Sequence, residues 1–306
     1  MSENDVHEGA GDSGPADEII QRQNFAVDGP VEIDLSIVTG RVTVALVEEP
    51  GASVEVKHDP SAGNGWFANL GGLINWIGEQ FGESAAMGGP ADAVRETTVE
   101  LNGQRLTIRA PKGRLRMVPL AVTVRAPAGS NLELRSGSAD VSVTGPAGRA
   151  IIATGSGEIS LDRADGRAEI TAGSGALRLG PMLSGLRARS GSGEIEVSSI
   201  GGPSVLMTGS GDVWLGAVQA DVQVRTGSGD ITVADAACGL VELVTGSGDI
   251  RIGVRSGKAA EVDLVSSSGE ARSELDLSDQ PPAGETNLRV RGRTGSGEAV
   301  VTASVG

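Results

Sequence analysis

The stretch "TGSGDI" stands at residues 226–231 and again at 245–250, and close variants recur along the chain. Aligned on the first residue of each G-S-G unit, the starts fall at Gly137, Gly155, Gly173, Gly191, Gly209, Gly227, Gly246, Ser267 and Gly295. The first five intervals are 18 residues, and the later ones 19, 21 and 28. Fixed self-similarity at such a period marks a solenoid.

Two short alternating segments fill each period. Ile159 and Leu161, Ile195 and Val197, and Ile231 and Val233 follow a turn, while Ala168 and Ile170, Leu186 and Ala188, and Val222 and Val224 precede one. Period-two alternation means strands with one buried face. About 18 residues are too few for a helix, a strand and a return, so each coil holds strands alone, stacked on the next at about 4.8 Å by parallel pairing. The expected fold is all-β, a right-handed parallel β-solenoid, the hand following the general rule for parallel connections.

The paired glycines are expected to serve as structural turns: Gly155 and Gly157, Gly173 and Gly175, Gly191 and Gly193, Gly209 and Gly211, Gly227 and Gly229, and Gly246 and Gly248. Corners often require positive φ, which glycine adopts without a steric penalty. A carboxylate follows most units, at Asp140, Glu158, Glu194, Asp212, Asp230, Asp249, Glu270 and Glu298, with Ala176 breaking the series. Stacked acids one coil apart repel by about 1 kcal/mol in water, which the buried aliphatic pairs of each coil outweigh. Solvated acids that accept a turn N–H explain the series, with a calcium-binding β-roll as the alternative. The acid directly precedes the inward apolar residue, unlike the β-roll nonapeptide.

Composition narrows the function. The net charge of -15 argues against nucleic acid, which needs a basic surface. Aromatics make up 2% of the chain and tyrosine is absent, so small aliphatics must fill the core and platforms for sugar rings are scarce. The single Cys238 excludes an internal disulfide, and the two histidines, His7 and His58, lie outside the repeats. Neither a catalytic triad nor a metal-ligand pattern emerges, so no catalytic, cofactor or metal residue is assigned.

The N-terminal part divides into an acidic tail at 1–24, expected to be disordered, and a β-region and cap at 25–130, ahead of the regular repeats at 131–306. "TVELNGQRLTIRAP" reads as a hairpin across Asn102 and Gly103. Within this region an insertion at 61–83 holds four of the six aromatics. On a short amphipathic helix it would present Trp66, Phe67, Leu70, Leu73, Trp76, Ile77 and Phe81, the expected partner-binding residues. Folding back onto the core and contact with a membrane interface are the other readings of this segment. Neither a basic, apolar leader nor an 18-residue apolar run occurs, so the chain is expected in the cytoplasm, reaching a membrane through a partner.

The runs "LNGQRLTIRAPKG", "APAGSNLELRSGSADVSVTG", the successive "TGSGDI" units and "VDLVSSSGEARSELDL" together resemble a bacterial β-strand-repeat, adhesin-like family of unknown function, grouped with the toastrack domains of Lia and Psp envelope-stress systems. The resemblance spans roughly residues 25–306. It implies a β-solenoid with no established catalytic residues and a link to cell-envelope stress. The function expected is a non-catalytic scaffold or protein-interaction module without a cofactor. A surface adhesin or self-assembling structural protein is the alternative, followed by the calcium β-roll and a polysaccharide-active enzyme.

Overall fold

The computed structural model describes residues 20–63, 89–275 and 287–304. Of the insertion at 61–83, residues 64–83 with all seven expected contact residues lie outside them, as do residues 1–19. The N-terminal strands are β1 (Ile20–Phe25), β2 (Glu32–Ile37), β3 (Gly40–Val47), β4 (Ala52–His58), β5 (Thr98–Asn102), β6 (Arg105–Arg109) and β7 (Leu120–Pro127). The helix α1 (Pro90–Glu96) precedes β5 and packs on β4 through its buried Ala93 and Val94. Strand β1 takes in Ile20–Asn24, which the sequence reading placed in the acidic tail, and pairs antiparallel with β4.

Two strands then make each coil. They are β8 (Asn131–Ser136) with β9 (Asp140–Ala147), β10 (Ala150–Thr154) with β11 (Ile159–Ala164), β12 (Ala168–Ala172) with β13 (Leu177–Met182), and β14 (Leu186–Ser190) with β15 (Ile195–Ile200). Next come β16 (Ser204–Thr208) with β17 (Val213–Val218), β18 (Val222–Thr226) with β19 (Ile231–Ala236), and β20 (Gly239–Thr245) with β21 (Ile250–Val254). The last are β22 (Ala260–Ser266) with β23 (Ala271–Ser273), and β24 (Leu288–Thr294) with β25 (Ala299–Ala303).

The repeats build two sheets. The odd strands from β9 belong to a first sheet of 13 strands and the even strands from β8 to a second of 12. Successive coils pair in parallel at the repeat interval, as Ile159 with Leu177 and Ala150 with Ala168. Ile159, Leu161, Ala168 and Ile170 are all buried, so the alternation in sequence is the inward face of both sheets. The parallel β-solenoid is therefore present, and β2 and β3 carry the same sheets into the N-terminal region by pairing with β8 and β9.

Stack order departs from chain order at both ends. Strands β24 and β25 lie between the β20–β21 coil and the β22–β23 coil, so the last segment of the sequence is internal in space. At the other end, β2 lies between β6 and β8 and β3 between β7 and β9. Each end thus sandwiches a coil that would otherwise fray, hydrogen-bonding it on two sides.

Candidate functional site

The G-S-G corner is the most regular feature, and its geometry revises the expected reason for glycine. None of the twelve turn glycines named above has positive φ; that conformation occurs elsewhere, as at Gly40, Gly51 and Gly103. What excludes a side chain is the neighbouring coil. A Cβ added to Gly157, Gly175, Gly193, Gly211, Gly229 or Gly248 would lie 1.9–2.1 Å from a carbonyl oxygen one coil away. At the first glycines, Gly155, Gly173, Gly191, Gly209, Gly227 and Gly246, the corresponding distance is 2.3–2.5 Å. The backbone ladder continues through the corner, with Gly227 N–H donating to Gly209 O at 2.9 Å, so adjacent corners lie in contact.

A buried hydroxyl column locks the corner from inside. Thr226 Oγ1 accepts from Gly229 N–H at 3.1 Å, and its hydroxyl donates to Gly211 O at 3.2 Å. Thr208, Thr245 and Thr294 repeat both bonds. The signal was present in the sequence, since a Thr or Ser precedes nearly every G-S-G unit, with Ala172 the exception. Thr226→Val is expected to cost about 2 kcal/mol, because it leaves a buried donor and a buried acceptor unpaired. Thr226→Ser keeps both bonds and should stay within about 1 kcal/mol of the native chain. Denaturant midpoints of the two variants check this.

The acids act on the next coil along. Asp212 Oδ1 accepts from Asp230 N–H at 2.8 Å, Asp230 Oδ1 from Asp249 N–H at 2.8 Å, and Asp249 Oδ1 from Glu298 N–H at 2.8 Å. Aspartate has the right length for this bond, and Glu158 instead pairs with Arg178. Among the described residues, no group of three or more His, Cys, Asp or Glu is placed to hold a metal ion.

Elsewhere the surface carries ionic clamps. Asp34, with its side chain 7% exposed, accepts from Arg105 at 2.9 Å and from Arg109 at 2.6 Å, and Arg105 also reaches Glu133 at 3.6 Å. This ties β6, β2 and β8 together beside a polar cavity of about 240 Å³ lined by Glu32, Asn131 and Arg149. Near the other end, the Arg255 guanidinium hydrogen-bonds Asp235 and holds its carboxyl below the usual carboxylate range. Ser304 Oγ adds a bond to the same carboxylate at 3.2 Å, tying the end of the last strand to β19. Cys238 donates its S–H to Gln219 O at 3.2 Å. Trp214 is 37% exposed and lies between Glu196 and Thr232 on the outer face of the first sheet.

With this architecture in place, a family model described as Toastrack DUF4097 matches residues 83–305. The chain belongs to the toastrack family. In this toastrack chain the matched region covers all the G-S-G units and the β5–β7 strands. Solved structures resemble it at low identity. A "putative adhesin" from Bacteroides fragilis is 12% identical, with 93% of this chain and 97% of that one covered and a TM-score of 0.41. A "putative lipid binding protein" from Parabacteroides distasonis is 11% identical, with 92% and 96% covered and a TM-score of 0.42. No curated protein matches the chain. Among the described residues no helix is long and apolar enough to cross a membrane.

Proposed function

We propose that this toastrack chain is a non-catalytic interaction rod, a scaffold that holds a partner protein in a cell-envelope stress or regulatory pathway. The observation that carries the reading is the corner lattice. Backbone, hydroxyl and carboxylate bonds repeat from coil to coil and fix the outward side chains in columns at strand spacing. Such a surface presents a long, ordered pattern of charge without reorganising, which favours recognition by cutting the ordering cost of binding. The proposal places the protein in the cytoplasm and gives the partner contact to the segment at 61–83, with Trp66 and Trp76 as its anchors. Aromatic anchors of this type dominate many interfaces.

Crosslinking in cells tests it with three forms: the intact chain, one lacking residues 61–83, and Trp66→Ala with Trp76→Ala, each first shown to keep the native unfolding midpoint. The expected result is one membrane or regulatory protein captured by the intact chain and lost from both variants. Equal capture by all three would reject the aromatic contact. Unfolding of the double variant would make the segment part of the core.

A further inference from the structure

Four of the units read Arg, Ser or Thr, then a small-residue corner, then an acid: Arg135 to Asp140, Arg189 to Glu194, Arg225 to Asp230 and Arg293 to Glu298. The arginines share one outward register column of the second sheet, and that column contains no acid from β6 to β22. Arg189, Arg225 and Arg293 are exposed and take part in no ion pair or hydrogen bond through their side chains among the described residues. Glu194 and Asp230, equally exposed, form no ion pair among the described residues. Arginine and acid of one unit flank the corner on different sheets, so the fold does not pair them with each other; in the outer two units Arg135 meets Glu133 and Glu298 meets Arg272 instead. A chain of net charge -15 therefore carries a cationic column and an anionic column side by side along one edge.

We infer that this corner edge is a docking surface for a second copy of the chain, the two copies joining side by side about a twofold axis parallel to the stack. Such an axis exchanges the flanks of the edge, so the arginine column of one copy faces the acid column of the other, twice over. It also leaves height along the stack unchanged, so Arg189 meets Glu194 and Arg225 meets Asp230 at the same coil. The contact is isologous and closes at two copies. Gly227 and Ser228, with their equivalents in the other units, form the exposed tip, so no bulky side chain holds the edges apart.

Charge complementarity favours a second copy over a free polyanion or an anionic membrane. Either of those would meet the acid column as soon as it reached the arginines, whereas a second copy presents both signs at the matching spacing. The edge is one corner wide, so the contact is small and the dimer is expected to be micromolar and salt-sensitive. The inference deepens the interaction-module reading by naming one partner, and it uses residues other than those at 61–83.

Sedimentation equilibrium on the full chain, up to roughly 100 µM, suits so small an interface. At about 0.15 M salt the native chain should dimerise, and the dimer should dissociate at about 1 M. Arg189→Glu and Glu194→Arg should each weaken dimerisation by at least about tenfold, since each places like charges together twice. The double variant restores opposite charges and should recover the native constant. The Glu194 side chain makes no hydrogen bond or ion pair among the described residues, and its backbone bond to Leu177 N–H does not depend on the side chain, so its replacement leaves the fold intact. The form lacking 61–83 should dimerise like the native chain whether or not the aromatic segment binds its own partner. A monomer at every concentration overturns the inference, and so does a dimer indifferent to salt or a double variant without rescue. A monomer that sediments with phosphatidylglycerol vesicles, and loses this on Arg225→Glu, overturns it in favour of an anionic surface.

Discussion

Gly229→Ala is expected to destabilise the protein by at least about 3 kcal/mol, although alanine adds only a methyl group. The added Cβ would lie 2.0 Å from Gly211 O, 2.5 Å from Gly211 C and 3.0 Å from Asp212 N. These are backbone atoms of a coil hydrogen-bonded on both sides, so relief requires moving the stack rather than rotating a side chain. The same variant at Gly103 separates this cause from backbone conformation. Gly103 has φ +62 at the β5–β6 hairpin and no atom within 4 Å of its would-be Cβ, so Gly103→Ala should cost only about 1–2 kcal/mol. Thr232→Val, on the outward face of β19, should stay within about 0.5 kcal/mol. Denaturant titrations of the three variants give the ordering. A Gly229 variant no worse than the Gly103 variant would reject the contact with the neighbouring coil as the reason for glycine at this corner.

The order of the last coils gives an all-or-none result. Glu242 on β20 is in register with Arg291 on β24, which is in register with Asp263 on β22. Adjacent strands place Cα atoms about 4.8 Å apart, within disulfide reach, and a second spacing doubles that to about 9.6 Å, beyond it. In a Cys238→Ser background, Glu242→Cys with Arg291→Cys should oxidise to one crosslinked species. Glu242→Cys with Asp263→Cys should remain reduced under the same conditions. The opposite pattern would mean that the coils stack in chain order. Because β24 is paired on both sides, the crosslinked form should also resist unfolding at this end more than the reduced one.

Much of this architecture is legible in the sequence. The repeat interval fixes coil length, period-two alternation marks the inward face from Ile159 to Ile252, and Asn102-Gly103 marks the hairpin, because each is a local pattern with one steric solution. The acid series indicates carboxylates that accept a turn N–H, but the donor belongs to the next coil in the stack, as Asp230 N–H to Asp212, which no local pattern contains. The toastrack resemblance rests on the same residues and extends no further into activity.

Three features depended on tertiary structure. Glycine at Gly157 or Gly229 is required by an atom about 18 residues distant, which no local rule about φ contains. The role of Thr226 depends on a carbonyl of the preceding coil as well as on its own corner. The ends reverse stack and chain order because a terminal coil gains a second hydrogen-bonded neighbour by inserting. The 28-residue interval between Ser267 and Gly295 shows only that extra chain is present, not that β24 lies inside β22. The sequence by itself determined the unit and its interior, because both follow from residues within one period. Only the stack decided the order of units and which charges meet on the edge, because those depend on contacts between periods.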